Sequence, residues 1–197
     1  MTNRLHAALT RVVRDLTRHG QRFAMVGGLA VSVRAEPRLT RDLDLAVALG
    51  GDAEAEALIR TLRMGGYRTI ALVEHEAAQR LATVRLVTPE EGDAGIVADL
   101  LFASSGIEAE VVDQAEALEV LPGITLPVAR TGHLIALKLL ARDDRHRPQD
   151  ADDLVALRRV ADDAEVTRAR AAVRLVQERG FDRGRDLPRA LEEWLGG

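Results

Sequence analysis

The spacing of apolar residues changes character near residue 130, and that change limits the architectures open to this chain. Before it, apolar runs of strand length alternate with helical segments; after it, only helical spacing remains. Leu5, Leu9, Val12, Val13 and Leu16 mark a helix that Gly20 ends, and Phe23 to Val26 reads as a short buried strand. Gly27-Gly28 breaks that strand, and Leu29 to Ala35 is a short helix. Pro37 forces an extended approach to the next segment. Asp42 to Leu49 then alternates apolar and polar residues as a half-buried strand does. Asp52 caps a helix running to Met64, with Gly65-Gly66 as its stop. Further strands are expected at Tyr67–Val73, Leu81–Val87 and Ile96–Phe102, the last two joined by the polar turn Thr88-Pro89-Glu90-Glu91-Gly92. Leu118 to Val128 contains Pro-Gly and reads as a short hairpin or an irregular segment. Helices follow over 131–143, 148–161, 164–179 and 187–195. The pattern predicts an α/β (α+β) fold, with a mixed α/β half over 1–129 and a C-terminal helical region over 130–197.

Composition excludes several chemistries. The 197 residues contain no cysteine, which removes disulfides, Cys-ligated zinc, iron–sulfur clusters and thiol catalysis. Aromatics are 3% of the chain, too few for a base-stacking sheet. No apolar run reaches the roughly 18 residues of a membrane span, and the Arg-rich start lacks a signal-peptide block, so a cytoplasmic protein with no membrane contact is expected. The net charge of −4 argues against general polyanion binding. Arg142, Arg145, His146, Arg147, Arg158, Arg159, Arg168, Arg170, Arg174, Arg179, Arg183 and Arg185 could still form a local RNA-binding face, although interspersed acids make solvated helix faces the commoner outcome. Of 27 basic residues, 26 are Arg and one is Lys138. Codon bias accounts for such a ratio; so does a need at position 138 for a compact point charge that Arg cannot supply.

Three features carry chemistry. In Asp42-Leu43-Asp44, strand geometry turns both carboxylates to one side, about 6 to 7 Å apart. Their mutual repulsion is relieved by a divalent cation, and hard oxygen ligands suit Mg²⁺. A solvated strand end explains such a pair equally well when it stands alone. Asp99 interrupts the apolar strand Ile96–Phe102, where an isolated acid needs a metal or an arginine partner. Three converging acids around Mg²⁺ would serve phosphoryl or nucleotidyl transfer. Gly27-Gly28, between a strand and a helix, lets backbone N–H groups approach a phosphate, but it is neither a Walker A loop nor a GxGxxG fingerprint. Lys138 shares a helix face with Leu134, Leu137 and Ala141, so its ammonium needs an anion or must snorkel to water. After Asp143–Arg147, Pro148 opens a helix in which Asp150 and Asp153 share a face with Leu154 and Leu157, while Asp152 turns away.

The order of these pieces resembles the polymerase-β-like nucleotidyltransferase superfamily: an apolar residue, Gly27-Gly28, a spacer, Asp42-Leu43-Asp44, then a later acid, Asp99. Leu137-Lys138-Leu139-Leu140-Ala141-Arg142 through Arg147-Pro148-Gln149-Asp150-Ala151-Asp152-Asp153-Leu154 extends the resemblance to the AbiEii-type toxins of bacterial toxin–antitoxin and phage-defence loci. These include the MenT-type toxins, which add pyrimidine nucleotides to the 3′ end of tRNA. The resemblance covers about Phe23 to Leu157. It implies a polymerase-β-like mixed sheet with a C-terminal helical region that completes the active site. It further implies that Asp42, Asp44 and Asp99 hold Mg²⁺, and that Gly27, Gly28, Thr40 and Lys138 contact the nucleoside triphosphate. Asp42, Lys138, Asp153 and Thr40 would carry catalysis, with Asp99 and Asp153 both candidates for taking the acceptor's proton. The implied partners are CTP or UTP, the tRNA acceptor end and a cognate antitoxin protein. The implied effect is blocked aminoacylation and translation. Two departures stand out: the glycine-to-acid spacer is long, and Gln149 follows Pro148 where a basic residue is usual, which leaves Asp150 without an assigned role. A small molecule (an aminoglycoside or lincosamide) or a protein is the alternative acceptor. A module that has lost catalysis and only binds a partner is the rival of another class.

Overall fold

The computed structural model describes residues 2–37, 40, 42–75, 78–89, 95–142 and 149–196. Residues 90–92 of the polar turn, and Arg145, His146, Arg147 and Pro148, lie outside the described residues. The order of elements is α1 (Thr2–Arg18), β1 (Phe23–Met25), α2 (Gly27–Arg34), β2 (Leu43–Val47), α3 (Asp52–Met64), β3 (Arg68–His75), β4 (Arg80–Val87), β5 (Val97–Leu101), α4 (Glu108–Asp113), β6 (Glu116–Leu121), β7 (Ile124–Val128), α5 (Thr131–Ala141), α6 (Gln149–Val160), α7 (Asp163–Glu178) and α8 (Leu187–Gly196). Among the described residues no helix is long and apolar enough to cross a membrane.

The strands form one mixed sheet in the order β3-β4-β5-β2-β1-β7-β6. β2 and β5 run parallel, as do β1 and β7, and the remaining neighbours are antiparallel. This is the mixed α/β sheet that the sequence pattern implied. The ambiguous segment before residue 130 is a hairpin, β6–β7, whose turn uses Gly123 in the left-handed region at φ +78°. β2 differs from the expected half-buried strand. Leu43, Leu45, Ala46 and Val47 are all buried, and only Asp44 keeps partial exposure. The strand is central, with α2 and α4 packed against it, so burial on both faces replaces simple alternation. α4 lies in a stretch where the sequence pattern indicated no element.

Parallel pairing of β1 with β7 sets the geometry of everything that follows. Met25 sits opposite Val128, and the Ala129 N–H donates to the Met25 carbonyl at 2.9 Å. Two helices therefore leave the sheet side by side: α2, starting at Gly27, and α5, starting at Thr131. Arg34, at the end of α2, donates to the Val128 and Ala129 carbonyls and to Glu116, and so ties α2 to the root of α5. Arg130 bridges Glu116 and Glu165. Glu165 in turn accepts the Gly132 N–H at 2.7 Å, capping α5 with a side chain from α7. Burial pushes the neighbouring His133 imidazole down to about 4, so it is neutral at physiological pH.

Close packing of α5 on α7 depends on Gly132. A Cβ there would lie 2.3 Å from the Glu165 carbonyl oxygen and 2.8 Å from the Arg168 Cβ. Backbone cannot yield to that contact as a flexible side chain can. Gly132→Ala is expected to lower stability by about 1–3 kcal/mol, read as a lower urea midpoint. An unchanged midpoint would mean that the two helices are not packed this closely.

Candidate active site

One cavity of about 490 Å³ collects residues from both halves of the chain. Val26, Gly27 and Gly28 line it from the β1–α2 turn, Thr40 and Asp42 from the approach to β2, Asp44 from β2 itself, Arg85 from β4 and Asp99 from β5. Lys138 lines it from α5, Asp150 from α6 and Arg183 from the α7–α8 connection. Residues far apart in sequence, singled out there for chemistry, thus share one cavity. Asp153 is the exception among them and does not line it.

Gly27 and Asp44 form a single unit. Gly27 begins α2 at φ +65°, a conformation that L side chains rarely adopt. The Asp44 carboxylate fills the space where a side chain would go: a Cβ on Gly27 would lie 1.9 Å from Asp44 Oδ2. The Val26 N–H also donates to the Asp44 carbonyl at 2.9 Å. Asp44 therefore rests against a helix N-terminus, where the backbone dipoles favour negative charge. Thr40 Oγ1 is buried in the same cavity with no hydrogen-bond partner among the described residues.

The third acid is held by an arginine, one of the two partners open to it in the sequence. Asp99 pairs in register with Asp44 across the parallel β2–β5 ladder, so the two are immediate neighbours. Across the antiparallel β4–β5 ladder, Asp99 faces Arg85. Arg85 Nε donates to one Asp99 oxygen at 2.8 Å and Arg85 Nη2 to the other at 2.6 Å, a bidentate pair. That hydrogen bonding raises the guanidinium pKa. Partial burial opposes the rise, and the charges of Asp99, Asp42 and Asp44 add to it. Among the described residues no three acidic or imidazole groups close into a metal-binding cluster. The donor set that fits a divalent cation is the Asp42–Asp44 pair. It supplies hard carboxylate oxygens beside the glycine cradle and the Thr40 hydroxyl. Arg85 is the residue that sequence reasoning missed. Its one signal is being the lone charge inside the Leu81–Val87 alternation.

Lys138 is neither in water nor dedicated to the cavity. It is 6% exposed, and its ammonium lies 2.7 Å from Asp150 Oδ1 and 2.7 Å from Asp153 Oδ2. Asp150 and Asp153 are themselves 2% and 1% exposed. Asp150, which had no assigned role, is thus a direct partner of the lysine. An ammonium has three N–H donors. Two can go to these carboxylates, which leaves one for a further acceptor, and the lysine lines the cavity.

The basic residues suggested for RNA are mostly engaged within the chain. Arg159 pairs with Glu36, Arg168 with Glu165, Arg170 with Glu192 and Arg179 with Glu110. Arg158 donates to the Trp194 and Leu195 carbonyls, and Arg185 to those of Leu139 and Leu140. Among the described residues of this set, Arg183 alone lines the cavity. It adopts φ +57°, unusual for a residue other than glycine, and donates to Ser104 Oγ and the Ser104 carbonyl at 3.3 Å.

A family model described as nucleotidyl transferase AbiEii toxin, type IV TA system, matches residues 9–195. No curated protein matches the sequence. The fold is similar to that of an antigenic nucleotidyltransferase-like protein from Paracoccidioides brasiliensis, with 16% identity, TM-score 0.56, and 97% of this chain and 93% of that one covered. It is also similar to the solution structure of the antibiotic-resistance factor ANT(2″)-Ia, with 16% identity, TM-score 0.57, and 100% and 99% covered. At such identities the likeness is one of fold.

Removing the lysine takes away the ammonium that lies 2.7 Å from each of two buried carboxylates. Lys138→Met is expected to lower stability by about 3–5 kcal/mol, measured by urea unfolding. Adding Asp153→Asn should recover part of that loss. Wild-type stability in the single variant would contradict the burial of the trio. A simple Lys138→Ala activity test therefore mixes lost chemistry with lost structure.

Proposed function

Since the chain belongs to the AbiEii nucleotidyl transferase toxin family and is a nucleotidyltransferase, we propose that it is a Mg²⁺-dependent enzyme acting on the 3′ end of tRNA. It takes a pyrimidine nucleotide from CTP or UTP and so blocks aminoacylation. A cognate antitoxin protein completes the system. The observation that carries this reading is the fusion of glycine turn and acid pair, with Asp44 packed into the space left by Gly27 and the Lys138 ammonium lining the same cavity.

Charge balance supports a metal requirement. The carboxylates of Asp42, Asp44, Asp99 and Asp150 line the cavity against the cations of Arg85, Lys138 and Arg183. Among the described residues the lining acids outnumber the cations, so a triphosphate entering by itself would meet a surplus of negative charge. Asp42 and Asp44 would hold the Mg²⁺, which offsets the triphosphate charge and polarises the α-phosphate. The N-terminus of α2, with the Gly27 and Gly28 backbone, would receive the phosphates, and the Thr40 hydroxyl would bond to one of them. The third N–H of Lys138 would orient a phosphate oxygen, with Asp150 and Asp153 fixing the ammonium as positioning residues. Of the two candidate proton acceptors, Asp99 lines the cavity and Asp153 does not. Asp99 is therefore assigned to the acceptor hydroxyl as it attacks in line. Arg183, at the α7–α8 connection, is placed to meet a phosphate of the acceptor strand.

The test is transfer of label from α-labelled CTP and UTP to total tRNA, run beside lysate protein, an aminoglycoside and a lincosamide. Label is expected on tRNA, dependent on Mg²⁺, and reduced about a hundredfold or more by Asp42→Asn. Label on an antibiotic or a protein instead of tRNA would move the assignment to that acceptor. Full activity of Asp42→Asn would remove the acid pair from the chemistry.

A further inference from the structure

The side chains that cross the sheet from β4 to β2 run Arg85, Asp99, Asp44, all in register. Neighbouring strands are about 4.8 Å apart, so Asp99 has a cation on the strand to one side and the proposed metal-holding acid on the strand to the other. Both Asp99 oxygens are engaged by Arg85, at 2.8 and 2.6 Å. The Asp99 side chain is 12% exposed and that of Arg85 is 47% exposed. The acid is therefore the more enclosed partner, and the guanidinium, on a longer side chain, is the more exposed one. Arg85 and Asp99 both line the cavity that Asp42 and Asp44 face.

We propose that Arg85 is a built-in counter-ion that competes with a divalent cation for Asp99, releasing the acid only when a polyphosphate enters and offers the guanidinium a new partner. This rests on the reading that Asp42 and Asp44 hold the cation. While Arg85 grips Asp99, an ion entering alone finds two carboxylates and a nearby positive charge that repels it. A triphosphate changes both terms. Its oxygens accept the bidentate Arg85 donors, and Asp99 turns to the ion or to the acceptor hydroxyl. The cation and the nucleotide thus bind cooperatively, and the bare protein holds the cation weakly.

Titration calorimetry of the full chain with Mn²⁺ alone, without nucleotide, tests the exchange. Arg85→Met is expected to tighten Mn²⁺ binding about tenfold or more, with the circular dichroism spectrum unchanged. Arg85→Gln, which keeps a donor without the charge, is the substitute if the Met variant does not fold. Adding Asp99→Asn to either variant should abolish the gain. A Mn²⁺ affinity that does not rise in either single variant overturns the proposal. A gain that survives Asp99→Asn also overturns it, because the effect would then be one of charge through space and not competition for that acid. Asp42→Asn separates the two levels. If Mn²⁺ binding by the wild-type protein is indifferent to it, the parent reading of the acid pair fails, whatever Arg85 does.

Discussion

The Lys138 ammonium, clasped between Asp150 and Asp153, is the interaction on which the site depends. It joins α5 to α6 through three polar side chains almost wholly removed from water. Burying charges in this way costs several kcal/mol per ion before their mutual attraction offsets it. Apolar residues of similar volume would serve the packing at least as well. The arrangement instead fixes the position of the ammonium in the cavity wall. It also gives a physical reason for the chain's single lysine. An ammonium is compact enough to sit 2.7 Å from two carboxylates on one helix face, whereas a planar guanidinium fork is built to meet one carboxylate edge-on.

The opposite wall obeys a second constraint, set by the sheet. Parallel pairing places Asp44 beside Asp99, and antiparallel pairing places Asp99 beside Arg85. Register alone thus lines up two anions and a cation on neighbouring strands. The pairing of Met25 with Val128 starts α2 and α5 next to each other, and the Arg34, Arg130 and Glu165 links bind their roots. The glycine turn and the lysine helix are brought together by that strand pairing.

Much of this was legible in the sequence. The change of periodicity at residue 130, the break at Gly27-Gly28 and the Asp42-Leu43-Asp44 alternation are local signals, and they mark the elements correctly. The exposed Asp152 and buried Asp153 follow from helical spacing. What was not legible depends on partners distant in the chain. Asp99 could equally have met a metal or an arginine, and only the β4–β5 register decides for Arg85. Lys138 could have snorkelled, and only the placement of α6 supplies its two acids. β2 looked half-buried because alternation reports one face, whereas a central strand is covered on both. The short helix α4 carries too few residues for a periodic signal.

The central claim is that the acid pair and the buried lysine address the same triphosphate. Crystals grown with Mn²⁺ and a non-hydrolysable CTP or UTP analogue, examined at a wavelength where manganese scatters anomalously, test it directly. The account predicts an anomalous peak between the carboxylates of Asp42 and Asp44, with the phosphates running from the Gly27-Gly28 turn to the Lys138 ammonium. A peak elsewhere, or phosphates beyond hydrogen-bond reach of Lys138, would contradict it.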